Sequence, residues 1–519
     1  MTTIVAGLTP DDFIETLNRN LPPESEMTAD LPTGDLITAI HANYDHMKTL
    51  VPAIATRTNI TIGMTGKKYI EALNQNFQKI QTPCIYDRFD YDVPLNAGSE
   101  YNLITDIYHG PALLKLSNGT HLASCMRRGG PGFSRENFTV VIDANGNCST
   151  PNLIGYDEIS EGTYDSHGKA SIIEKGGVVY LFHEAYRGVG ATKNGPHNSD
   201  IIVKKSTDGG YTWTEITRIL GYHAYLQTFI IGSDIYLIAR SAATTGFNPF
   251  YFSLWKSSDN CETWTALASP YIGNSGTYIY KDIVKSDTAI NLVIFDRITS
   301  GGGTFTTYPA VYNIKSTDGI TYTNAGGTWS KNVVTGGAIT RTEALANCLI
   351  GTYTSDTYSA HWHGSFLKDG KLYTLISYGP CGVPTNDPGT GMWKTEYESC
   401  KLYENTTEIL DLSALVSGFS YEGYVAQFLS LYRNGNTFDI LQTNDASGNY
   451  IKLHNYNTEG LISTEIIKSE VSDVHGQMIG AATYGATTRA ERMMTFMKLI
   501  GSWFDIHSAY ADMVILKSK

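Results

Sequence analysis

An apolar run, a turn rich in Gly and Asp, and a second apolar run recur six times along this 519-residue chain, each copy opened by a Tyr/His cluster and often closed by Arg. The copies span Tyr108–Arg128, His167–Arg187, His223–Arg240, Tyr280–Arg297, His363–Tyr378 and Tyr424–Thr443. Within them, apolar positions mark half-buried strands, and Asn118-Gly119, Gly176-Gly177 and Asp369-Gly370 mark tight hairpins. The starts lie about 55–60 residues apart, with one interval of about 80. A period of that size in a strand-rich chain predicts a β-propeller. Inner strands are expected to begin near Gly110, Gly168, Ala224, Lys281, Gly364 and Val425. In a propeller, the start of each first strand and the end of each second strand lie on one face, so these residues ring the axis. The tail from Gly476 either closes the first blade or forms a seventh; six blades with C-terminal closure is the expected arrangement.

A different repeat occupies residues 1–82. "TTIVAGLTPDDFIETLNRNL", "SEMTADLPTGDLITAIHANY" and "TNITIGMTGKKYIEALNQNF" align without gaps. In each, a short β-prone piece leads to Thr9, Thr33 or Thr65, a natural N-cap for the helix that follows. Ile14 and Leu17, Ile37 and Ile40, and Ile70 and Leu73 give each helix a narrow apolar stripe. Helices this short need a surface to pack on, so the segment reads as a capping or docking domain. This strand–Thr–helix unit resembles N-terminal segments of bacteriophage tail and fibre proteins. The expected architecture is therefore all-β over residues 83–519, a six- or seven-bladed propeller, preceded by a small N-terminal α/β repeat domain.

Composition narrows the partners. The net charge of -13 argues against general nucleic-acid affinity, because phosphate binding needs a basic surface. Seven Cys without a CxxC pair suggest reduced thiols rather than a zinc site or disulfide framework. No apolar stretch approaches a membrane span, and "IVAGL" near the start lacks the basic lead of a signal peptide, so neither membrane insertion nor signal-peptide export is expected.

The run Ser206-Thr207-Asp208-Gly209-Gly210-Tyr211-Thr212-Trp213 is a complete S-x-D-x-G-x-x-W turn. Ser257–Trp264 repeats it with Cys261 in the Gly place, and Ser316–Tyr322 is one residue short. Residues from about 83 onward thus resemble the sialidase-like Asp-box propellers, in which these turns join outer strands and carry no chemistry. The sialidase motif that opens blade one with an Arg is matched by Tyr108-His109-Gly110-Pro111, with His109 in the Arg place. That loses one arm of a carboxylate clamp.

Local stretches are also similar to ulvan-lyase-type propellers, which use two His, a Tyr and an Arg near the axis. "YDSHGKASIIEKGGVVYLFHEAYRG" offers His167 first, with His183 or Arg187 near the second position; "HAYLQTFIIGSDIYLIAR" offers Tyr225 and Arg240. The resemblance implies His167, Tyr225 and Arg240 as catalytic residues. Lysis of a uronate needs its carboxylate neutralised, which Arg240 or Arg187 suits, and a base and an acid, which Tyr225 and His167 suit. His109, Arg128, Arg187, His183, His223, Arg297 and His363 are expected to bind substrate from equivalent strand ends. Any one such His is ordinarily a structural hydrogen-bonder, but His109, His167, His223 and His363 recur at like positions. His361 and His363 share a strand face without a third ligand, so no metal and no cofactor are expected.

These resemblances point to a virion protein of tail-fibre or spike type, made in the host cytoplasm. It would contact other virion proteins through residues 1–80, form a homo-oligomer, and bind or degrade acidic cell-surface glycan. The alternative is a free polysaccharide lyase or glycosidase.

Overall fold

The structure is a computed structural model. It describes residues 86–91, 101–103, 112–128, 135–156, 170–186, 199–242, 249–300, 305–353, 358–384, 393–416, 420–422, 429–445, 448–468, 477–482, 484–500 and 510–518, less residues 145, 222, 276 and 308. The chain divides into two compact units, Met1–Tyr86 and Asp87–Lys519. The three Thr-capped helices expected in residues 1–82 lie outside the described residues.

The described part is a β-propeller of largely antiparallel sheets. Six of them repeat one plan: a first strand, a tight turn, a second strand pairing back, then outer strands. The second sheet runs Ser171–Lys175, Val178–Tyr186, Ser199–Ser206 and Thr214–Ile219 in that order. The third runs His223–Ile231, Asp234–Ala242 and Phe250–Ser257, the fourth Thr277–Lys285, Ile290–Ser300 and Val311–Ser316. The first strands of the first, fifth and sixth sheets are Leu113–Lys115, Tyr358–Lys368 and Leu429–Asn434. All six begin within six residues of the positions expected from the repeat, the fifth being the most displaced. Consecutive sheets pack side by side, and the strand Tyr510–Ser518 returns to Tyr101–Leu103 of the first, which closes the ring.

The tail departs from the expected closure. Gln477–Ala482, Met493–Ile500 and Tyr510–Ser518 form their own sheet, completed by Tyr86–Tyr91 from before the first repeat. The described residues therefore contain seven sheets. Its first two strands are joined by a long connection rather than a Gly/Asp hairpin, so the period fades there. That connection is anchored: Arg489 and Arg492 both pair with the buried Asp439 of the sixth sheet, at 2.7 and 2.8 Å.

The apolar core lies between neighbouring sheets, where the alternating faces meet. Ile172, Leu181, Leu122 and Val141 fill the space between the first and second. Phe252, Leu254, Ile279, Leu292 and Ile314 fill that between the third and fourth. Polar turns tie the outer edge. Asp208 accepts from the backbone N–H groups of Tyr211 and Thr212 and from the Thr212 hydroxyl, while Ser206 Oγ accepts from Gly210 N–H at 2.8 Å. Gly210 has φ +101°, and a Cβ there would lie 2.6 Å from buried Leu122, so glycine is required twice over. Cys261 occupies the same turn position in the next sheet with φ 70°. The described cysteines Cys148, Cys261, Cys348 and Cys400 are free.

Among the described residues no helix is long and apolar enough to cross a membrane.

Candidate functional site

The site begins with a defect in a strand. Ala224 stands opposite Arg240, but the next pair is Gln227 with Ile238. Two residues, Tyr225 and Leu226, therefore face one, Ala239: a β-bulge, which re-aims a side chain at a strand's end. Tyr225 takes φ 58° there, a left-handed conformation that costs a non-glycine residue about 1–3 kcal/mol. The same interruption recurs in the fifth sheet, where His363 and Gly364 fall between the pairs Trp362–Ile376 and Ser365–Thr374.

The bulge puts Tyr225 under Arg240. The guanidinium carbon lies 4.2 Å from the centre of the Tyr225 ring, 4.7 Å from Phe250, 5.3 Å from Tyr280 and 5.7 Å from Tyr278. Arg240 is only 7% exposed, yet no carboxylate pairs with it among the described residues and its Nη1 has no hydrogen-bond partner. Four rings stabilise the cation through their negative faces but accept few of its hydrogen bonds. Among the described residues, no anion meets this buried cation.

Behind the ring of aromatics sits a second cation. Lys281, 1% exposed, donates to the Tyr225 carbonyl at 2.5 Å and lies over Phe252. Loss of hydration pushes its ammonium down to about 7; Asp282 and Glu184 oppose that shift and Arg240 adds to it. Asp282 keeps some solvent contact, but lost hydration still pushes its carboxyl up to about 6, against a backbone N–H of Ile283, the Gln227 side chain and Lys281. The aromatics continue sideways: Tyr225 meets Tyr280 edge-on at 5.2 Å, Tyr280 stacks on Phe295, and Phe295 on Trp362 of the fifth sheet.

Of the residues expected at the site, Tyr225 and Arg240 are brought together. His109, His167 and Arg187 lie outside the described residues, as do the side chains of Arg128 and Arg297, whose strands end where the repeat placed them. The remaining histidines are packed into the sheets. His183 lies against Gly155 of the first sheet, where a Cβ would come within 2.8 Å of the ring. Burial, with Lys204 nearby, pushes it down to about 3. His223 bonds Ser241 Oγ at 2.9 Å and meets Trp255 edge-on; burial pushes it down to about 4. His363 bonds Ser377 Oγ at 2.7 Å, with His361 5.0 Å away between ring centres, and burial holds both well below the ordinary range. All four are neutral near pH 7, so none offers a fixed positive charge to an anion. Among the described residues no group of three or more His, Cys, Asp or Glu is placed to hold a metal ion.

Lys281, Glu184, Asp282, Tyr278 and Phe250 were not singled out from the sequence. A signal existed for two of them: Lys281-Asp282 interrupts the apolar run "TYIYKDIVK", and charges in the middle of a buried strand ask for an explanation.

The fold is shared with carbohydrate-active propellers. An ulvan lyase of a new polysaccharide lyase family, solved bound to a saccharide of glucuronic acid and sulfated rhamnose, superposes with a TM-score of 0.56 at 16% identity, covering 82% of this chain and 97% of its own. The same enzyme solved without the saccharide gives the same values. The polysaccharide lyase Uly1 is similar at a TM-score of 0.49 and 14% identity, over 82% of this chain and 94% of its own. No protein-family model and no curated protein sequence matches the chain.

Proposed function

We propose that this propeller binds an acidic polysaccharide at Arg240 and Tyr225 and cleaves its uronate linkages by β-elimination. The observation that carries this reading is the Arg240 guanidinium, buried among four rings with no carboxylate paired to it among the described residues and its Nη1 without a partner there. A uronate carboxylate supplies the charge and the paired acceptors that such a fork is shaped for. Neutralising that carboxylate acidifies the proton on C5 of the sugar. The proton leaves to a base, the C4–O bond breaks, a C4–C5 double bond forms, and the leaving oxygen takes up a proton. Tyr225, whose ring lies against the guanidinium, is positioned to carry one of these protons. On sequence grounds His167 carries the other. The shared fold with a lyase solved on a glucuronate-containing saccharide supports the substrate class.

The wider reading places this activity on a virion, with residues 1–82 as the docking segment, the propeller facing host-surface glycan, and assembly as a homo-oligomer. It rests on the three aligned N-terminal repeats.

The test is incubation with a panel of uronate polymers while following ultraviolet absorbance of the new double bond. Absorbance should rise with wild type and not with Tyr225→Phe. Affinity that falls in Arg240→Ala without any product would reduce the reading to glycan binding. No binding and no product with any acidic glycan would overturn it.

A further inference from the structure

We infer that Lys281 is a positioning residue: by donating to the Tyr225 carbonyl it holds the bulge in its left-handed form and so keeps the Tyr225 ring against Arg240. The inference rests on reading Tyr225 and Arg240 as the site. Three observations support it. A left-handed tyrosine persists only where its surroundings fix it, and Tyr225 has φ 58° without a glycine on either side. The Lys281 ammonium reaches across from the first strand of the fourth sheet to bond that residue's carbonyl, at 2.5 Å, in a region closed to solvent. The site's aromatic wall comes from the same strand, since Tyr278 and Tyr280 flank Arg240 and Tyr280 abuts Tyr225. One strand thus carries both the rings that confine the guanidinium and the cation that fixes the tyrosine.

The charged groups acting on Lys281 are its neighbour Asp282, Arg240 from the third sheet and Glu184 from the second. Their balance, added to burial, leaves the ammonium able to lose its proton near pH 7. An ammonium is a stronger donor than a neutral amine, so the hold on Tyr225 weakens as pH rises through that value.

The test reads the Tyr225 carbonyl directly and needs no glycan. The full chain is labelled at its tyrosine carbonyl carbons, and the Tyr225 resonance is assigned by its absence from Tyr225→Phe. In wild type it should titrate with a midpoint near 7. In Lys281→Met that titration should vanish. In Lys281→Arg, which stays charged, the resonance should remain at its low-pH position throughout. A Tyr225 resonance in Lys281→Met that keeps the wild-type low-pH position, or the same titration in Lys281→Met, would overturn the inference. If Lys281→Met does not fold, Lys281→Arg decides alone, since persistent titration there refutes the assignment. Where a uronate polymer is turned over, Lys281→Met should lower kcat about tenfold or more with KM little changed, because Lys281 touches the tyrosine's backbone and not the sugar. A wild type inert toward every acidic glycan would remove the proposed function yet leave the carbonyl titration intact, so the two failures are separable.

Discussion

Replacing Arg240 by Met separates the two demands on this position. Methionine keeps an unbranched apolar stem among Tyr225, Phe250, Tyr278 and Tyr280 but removes the cation. Two stability terms oppose each other. Contact of the desolvated cation with the rings is worth up to about 2 kcal/mol, and it is lost. The buried Nη1 without a partner costs about 1–3 kcal/mol in the folded state, and that cost is relieved. The net change should stay within about 1–2 kcal/mol, in either direction, by chemical denaturation. Glycan binding has no such compensation. Charge-assisted hydrogen bonds to a carboxylate contribute about 1.5–3 kcal/mol, so affinity for an acidic oligosaccharide should fall about 10- to 150-fold by calorimetry. A variant that loses several kcal/mol of stability while binding acidic glycan as wild type does would show that Arg240 holds the sheets together and does not wait for a ligand.

Two further outcomes concern the fold. Burial depresses His183 to about 3 and His223 and His361 to about 4, whereas unfolded histidine titrates near 6.5. Below that value the unfolded chain binds more protons than the folded one, so these groups contribute stability above pH about 6.5 that is lost as pH falls toward 4. Asp282, raised to about 6, works the other way, but it is one group against three. Thermal midpoints should therefore drop on acidification across this window, and a flat profile would contradict the burial of the three rings. Gly210→Ala should destabilise by about 1–3 kcal/mol more than Gly119→Ala in denaturant melts. Both glycines have positive φ, but only at Gly210 does an added Cβ meet a buried neighbour, Leu122. Equal costs would place the penalty in the backbone alone.

Much of the fold was legible because strands and turns are local. The apolar alternation and the Gly/Asp hairpins located six first strands, and the Ser206, Ser257 and Ser316 turns bond their own backbone as residue chemistry dictates. The seventh sheet was legible only as an alternative reading of the tail. Its strands are separated by a connection held by Arg489 and Arg492 on Asp439, and one strand comes from the other end of the described chain. At the site, the resemblance to ulvan-lyase-type propellers and blade geometry together paired Tyr225 with Arg240. His183 and His223, expected among the substrate-binding residues, are buried in their sheets. Tyr225 carries no glycine or asparagine signal for its left-handed backbone. The proposed hold, Lys281, lies 56 residues away on the neighbouring sheet, a pairing no local pattern reveals.

The central claim is that the buried guanidinium receives a sugar carboxylate, and chemical reduction of that carboxylate tests it most directly. A uronate polymer and its carboxyl-reduced, neutral counterpart, matched in length and linkage, are titrated against the wild-type chain. A site built around an unpaired charge rejects a ligand lacking the complement, so the native polymer should bind and the reduced one should show no measurable affinity. Equal affinity for the two would mean that the propeller recognises the sugar backbone and that Arg240 plays no part in the recognition.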